Sequence, residues 1–183
     1  MIDKAIEELA ANTREAQTVF GGLSATQLNW KPSADQWSVG QALEHLIAIN
    51  TTYFAPFDAI AGGTHRPTFA GRLPFWPKLM GKFILQGSMP EEPRKVKTRP
   101  AFEPKSSAVP PGIVGDFSRH HDELAGRIGR LRGVNPEAVN VTSPFSSAVA
   151  YPLSFALQII WWHERRHFAQ ARRIMAAAGF PAA

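Results

Sequence analysis

The sequence predicts an all-α fold, a four-helix bundle built as a single domain over residues 1–183. Three observations carry that expectation. Four stretches repeat apolar residues at spacings of three and four, glycine or proline closes each of them, and no stretch alternates convincingly enough to read as a strand. Helices with one apolar stripe apiece bury those stripes most simply around a common core. At 183 residues the chain is long enough to fill one such core, and nothing in it suggests two.

The first helix is read over residues 2–20, where Ile2, Ala5, Ile6, Leu9, Asn12 or Thr13, and Ala16 mark one face and Gly21-Gly22 ends it. A turn-rich connection follows, and its Trp30 and Trp37 are expected to pack on the end of the core. Ser38-Val39-Gly40-Gln41 has the form of a capping box, the serine accepting from first-turn amides and the glutamine reaching back. The second helix starts there, with Val39, Ala42, Leu46, Ile49 and Tyr53 on its apolar face, His45 inside the same stripe, and Gly62-Gly63 at its close. A long connection then carries Pro67, Pro74, Pro77, Pro90, Pro93, Pro100, Pro104, Pro110 and Pro111, which exclude any long regular element. Within it, residues 75–85 are apolar enough for a short buried helix covering one end of the bundle. Ile113, Phe117, Leu124, Ile128 and Leu131 mark a third helix over residues 112–131, stopped by Gly133. Residues 134–151, with Pro136, Pro144 and several serines, read as loop. Pro152 suits the first turn of the last helix, which runs to residue 178 before Gly179 and Pro181.

An apolar share of 44% with 19% charged residues is a globular composition, not a disordered one. The absence of cysteine removes disulfides, thiolate ligands and a cysteine nucleophile together, and it fits a reducing cytoplasm. The amino terminus is acidic where a signal peptide starts basic. No stretch reaches the roughly 18 uninterrupted apolar residues of a membrane span. The expectation is a cytoplasmic protein without a membrane partner. A net charge of +5 and a pI near 9.9 admit an anionic partner. The cations are scattered, however: Arg94, Lys95, Lys97, Arg99 and Lys105 lie in the proline-rich connection, Arg127, Arg130 and Arg132 on the third helix, and Arg165, Arg166, Arg172 and Arg173 on the last. No nucleic-acid motif accompanies them, so they read as solvated surface and no nucleic-acid partner is expected.

The chemistry concentrates in His163-Glu164-Arg165-Arg166-His167. Two histidines four apart project from one side of a helix and can close on one ion. At about 100° per residue from Ala156, Ile160, His163, His167, Gln170 and Ile174 fall within roughly 40° of one direction, so the pair lies on the apolar stripe. The segment matches the zinc-protease pattern H-E-x-x-H. That family draws a third ligand from downstream, and the 16 residues after His167 contain no His, Asp or Glu. A ligand from upstream solves the problem, and His45 faces inward from another helix. A lone inward histidine is more commonly a hydrogen-bonded core residue, but a histidine pair standing opposite changes that balance. Three imidazoles leave positions open on an ion, as catalytic sites do.

Two segments, Trp30-Lys-Pro-Ser-Ala-Asp-Gln-Trp37-Ser-Val-Gly-Gln-Ala-Leu-Glu-His45-Leu and His163-x-x-x-His167-x-x-Gln170, resemble those of the DinB-like superfamily of metal-binding four-helix bundles. The resemblance implies up-down-down-up topology, the long connection between the second and third helices being the crossover, and a divalent metal held by His45, His163 and His167. It further implies a small-molecule substrate and either hydrolase or thiol S-transferase chemistry, the ion lowering the pKa of a water or a low-molecular-weight thiol. A histidine donor set suits zinc or nickel first, and iron or copper as well.

Glu164, at about 80° on the same wheel, reads as a carboxylate orienting an imidazole or as a surface acid, with a catalytic role as the sharper alternative. One of His120 and His121 is expected to face the interior and the other solvent, and His121 is the candidate for contacting a cofactor or substrate. Trp161 and Trp162 point away from the stripe, so the crossover or a second subunit has to cover them, which makes a homodimer a reasonable expectation. The competing function is a non-catalytic bundle that binds a small acidic ligand.

Overall fold

Residues 1–91, 98, 100–104 and 108–182 are described in the computed structural model. The basic cluster Arg94, Lys95, Lys97, Arg99 and Lys105, with Pro93, lies outside the described residues. Helix α1, Ile2–Phe20, buries the expected face, with Asn12 included in it. Inside the turn-rich connection Ser24 and Gln27 form a capping box of their own, so a short helix, α2 (Ala25–Asn29), precedes the main one. Helix α3, Val39–Thr51, begins as expected: Gln41 N–H donates to Ser38 Oγ at 3.1 Å, and Ser38 N–H donates to Gln41 Oε1 at 3.1 Å. It stops short of Gly62. Thr51 turns its hydroxyl back onto the Ile47 carbonyl at 2.7 Å, a competing bond that bends helices, and α4 (Phe54–Ala61) resumes after the turn.

The proline-rich connection holds α5 (Phe69–Arg72), α6 (Trp76–Ser88) and a single 3-10 turn at Pro100–Phe102. Prolines do not prevent α6, because Pro77 stands in the first turn, where no amide proton is needed. The expectation of a buried helix is corrected: α6 lies against α8 and the hairpin described below, with only Pro77, Gly81 and Ser88 buried. Gly81 permits the approach, since a Cβ there would stand 2.7 Å from the Phe155 ring. Helices α7 (Ile113–Gly129) and α8 (Leu153–Met175) complete the bundle. Each of α1 and α3 packs against both α7 and α8.

The fold is mostly helical but not all-α. Residues 134–151 contain a hairpin, β1 (Asn140–Ser143) and β2 (Ser146–Pro152), with Val141 opposite Tyr151 and Thr142 opposite Ala150. Val141, Ala150 and Tyr151 are buried, and the Tyr151 hydroxyl meets that of Tyr53 at 2.7 Å. Short strands among small and polar residues leave too weak an alternation to compete with the loop signals around them. Tertiary packing creates the sheet. Trp161 is buried in the core, and Trp162 is half-buried with the Arg165 guanidinium 5.1 Å from its ring centroid. The chain thus covers its own tryptophans, which removes the reason for invoking a second subunit there.

The core divides in two. One cluster gathers Leu9, Tyr53, Leu124 and Leu157; the other gathers Phe20, Leu43, Phe117 and Phe168. On every bundle helix one buried polar residue falls between the two sets: Asn12, Asn50, His121 and Glu164.

Candidate metal centre

His45 comes from the inward stripe of α3 and is 3% exposed, while His163 and His167 come from successive turns of α8. Their ligand nitrogens all lie within 4.8 Å of one another. The Nε2 atoms of His163 and His167 are 3.1 Å apart. Donors on an ion with bonds of about 2.05 Å stand about 3.3 Å apart in a tetrahedron and about 2.9 Å apart in an octahedron, so the pair already has ligand spacing. The outer ring nitrogens are held as well. His45 Nδ1–H donates to the Phe102 carbonyl at 2.7 Å, and His167 Nδ1–H donates to Gln170 Oε1 at 3.0 Å. A carbonyl can only accept, so the proton of His45 sits on Nδ1 and its Nε2 lone pair is available. Trp37 roofs the group, stacked on His167 at a 13° interplanar angle and leaning on His45 with ring centroids 4.8 Å apart.

The three imidazoles are neutral. Burial lowers the pKa of His45 despite the opposing bond to Phe102. Burial, with help from His45 and Arg166, takes His163 down to about 3. Burial and the two neighbouring histidines hold His167 well below its ordinary value. Neutral nitrogens with inward lone pairs are what a divalent ion requires, and among the described residues no carboxylate belongs to the donor set.

The family model of the DinB superfamily matches residues 8–171. The chain belongs to the DinB superfamily. Among solved structures, this superfamily member is similar to YfiT from Bacillus subtilis, described as a probable metal-dependent hydrolase with an unusual four-helix bundle topology. The two share 17% sequence identity and a TM-score of 0.64 over 98% of this chain and 89% of that one. At such identity the likeness shows the fold. No curated protein matches the chain.

Within this DinB-superfamily bundle the other two site candidates lie together, away from the three-histidine group. Glu164 is 0% exposed. It accepts from Asn12 Nδ2 at 2.6 Å and from Asn50 Nδ2 at 2.7 Å, and its Oε1 is 3.0 Å from His121 Nε2. It is therefore no surface acid. Thr13 spends its own hydroxyl proton on the Leu9 carbonyl at 3.0 Å, so it accepts from His121 Nδ1–H at 2.9 Å. A proton on Nε2 as well is what the Glu164 carboxylate beside it favours. Burial pushes its pKa down, but the Glu164 carboxylate outweighs burial and the net shift is upward. The expectation that one of the two adjacent histidines faces solvent is corrected, because His120 is buried too, stacked on Phe54 with its pKa lowered to about 4 by burial and by His121. Helix α4 packs on α7 and covers that side.

Trp37 and the Phe102 carbonyl were not anticipated as parts of the site. Trp37 left a signal: it immediately precedes the Ser38 cap, where a large apolar residue fixes the entry of the chain. The Phe102 carbonyl left none, since any residue type supplies one.

Proposed function

We propose that this protein is a metal-dependent enzyme acting on a small molecule, with His45, His163 and His167 holding one divalent ion, zinc or nickel before iron or copper. The single observation behind the reading is the convergence of three neutral imidazoles at ligand spacing from two helices that pack together. When bound, such an ion supplies a Lewis acid that lowers the pKa of a water, for hydrolysis, or of a low-molecular-weight thiol, for S-transfer. The chain's own residues do the rest. The Phe102 carbonyl and Gln170 fix which nitrogen of His45 and of His167 faces inward, and Trp37 screens both from bulk water. Glu164 and His121 act as positioning residues, because their polar atoms are engaged inside the core. Asn50, five residues beyond His45, bonds Glu164, the neighbour of His163, and so holds α3 and α8 in the register that brings the ligands together. The same reading includes the up-down-down-up topology with the proline-rich crossover, which the pairing of α1 and α3 each with α7 and α8 supports.

Elemental analysis of protein purified without chelator tests the metal site. About one equivalent is expected in the wild type, and under about a tenth in His163→Ala and His45→Ala. Wild-type protein that stays below a tenth after incubation with zinc and with nickel refutes it. Ester hydrolysis and transfer of a small thiol to an electrophile, each measured with and without His45→Ala, separate the two chemistries. Full metal occupancy with neither activity favours the non-catalytic binding protein.

A further inference from the structure

Seven large apolar side chains are exposed among the described residues, and six of them lie between positions 69 and 83: Phe69, Leu73, Phe75, Trp76, Leu79 and Phe83. They share one surface. Helix α6 turns Pro77, Gly81 and Ser88 inward, and at about 100° per residue Trp76, Leu79 and Phe83 project from the opposite side. Helix α5, carrying Phe69, packs beside it. Phe75 is 86% exposed at φ 61, a conformation in which a bulky residue is strained, and that strain presents the ring to water instead of hiding it.

The charge along the segment that carries this surface has one sign. Between positions 64 and 90 stand Arg66, Arg72, Lys78 and Lys82, all exposed, and neither Asp nor Glu. On the helical wheel Lys82 borders the apolar stripe on one side, with Lys78 about 40° further round. Trp, Phe and Leu on one face with Lys and Arg beside them is the make-up of a helix that lies in a membrane interface, and basic side chains there pair with anionic headgroups. A second copy fits the face less well, since two-fold pairing would set one acid-free cationic patch against its own image.

We propose that the α5–α6 face docks peripherally on an anionic lipid bilayer, Phe75, Trp76, Leu79 and Phe83 entering the headgroup boundary while Arg72, Lys78 and Lys82 meet lipid anions. No helix among the described residues is long and apolar enough to cross a membrane, and this contact needs none. The sequence-based expectation of no membrane partner rested on the lack of a span, which leaves peripheral docking untouched. The inference does not depend on the metal site.

Co-sedimentation of the full chain with phosphatidylcholine vesicles, with and without phosphatidylglycerol, tests it at low and high salt. The wild type is expected to bind the phosphatidylglycerol vesicles at low salt. The affinity should fall about tenfold or more on pure phosphatidylcholine, at high salt, in Lys78→Glu/Lys82→Glu, and in Leu79→Ser/Phe83→Ser. Lys78, Lys82, Leu79 and Phe83 are all exposed, Phe83 at 57%, so both variants should keep the wild-type circular dichroism melt; a variant that does not is replaced by Phe75→Ser. Absence of wild-type binding, or binding that the charge-reversed and serine variants leave unchanged, overturns the proposal. A wild-type dimer in sedimentation velocity that Leu79→Ser/Phe83→Ser converts to monomer also overturns it, assigning the face to a second copy.

Discussion

Replacing Glu164 by alanine is the sharpest probe of the polar layer. The carboxylate is wholly buried and engaged by Asn12 at 2.6 Å, Asn50 at 2.7 Å and His121 at 3.0 Å. Alanine leaves one buried N–H of Asn12, one of Asn50 and the Nε2 side of the buried His121 without an acceptor, while Asn12 keeps the Trp161 carbonyl and His121 keeps Thr13. Each orphaned donor costs about 1–3 kcal/mol, and breaking a buried charge pair costs about 3–5 kcal/mol. These terms overlap, so the expected loss is about 4 kcal/mol, a large part of a typical stability of about 10 kcal/mol. The pH dependence should change as well. In the wild type the folded-state pKa of His121 lies above 6.5. Its contribution is therefore complete below 6.5 and is lost as pH rises through the raised value. Without Glu164 the two largest raising influences are gone and burial opposes only the Leu9 carbonyl and Asp122, so the folded pKa is expected to fall below 6.5. The variant then loses stability as pH drops beneath 6.5. Urea denaturation of both proteins at pH 5.5, 7 and 8.5 measures the difference, to which His120 also contributes because it feels both Glu164 and His121. Glu164→Gln keeps one acceptor oxygen and should lose about half as much. A loss under about 1 kcal/mol with an unchanged pH slope would refute a load-carrying polar layer. A Glu164→Gln protein of unchanged stability and abolished activity would instead make Glu164 a catalytic residue.

Two further outcomes follow from the packing and the charge states. Burial and neighbouring positive charge lower His163 to about 3, so protons compete weakly for the site; metal content after dialysis should hold nearly constant from pH 7.5 to 5.5, whereas loss of half the metal between pH 7 and 6 would show ordinary imidazoles. Gly81→Ala sets a Cβ 2.7 Å from the Phe155 ring and should lower stability by about 2 kcal/mol in urea denaturation; an unchanged midpoint would mean that α6 does not press on α8 as described.

Local signals were legible wherever the chain's own neighbours decide the outcome. The Ser38–Gln41 capping box spans four residues and is present as expected. The inward aim of His45, His163 and His167 follows from helical phase alone, and the structure brings all three together. The middle of the second helix was less legible, because Thr51 chooses between solvent and the carbonyl behind it. The exposed face of α6 looked like a buried helix, since an apolar run does not say whether anything comes to cover it.

By itself the sequence determined the long bundle helices and the stripe that carries the histidines, because periodicity belongs to contiguous residues. Tertiary structure alone decided how Asn12, Asn50, His121 and Glu164 would meet. Each is a polar residue buried among apolar neighbours on a different helix, with partners up to 152 positions away. Burial is affordable for any one of them only when the other three arrive, and no window of sequence contains that condition.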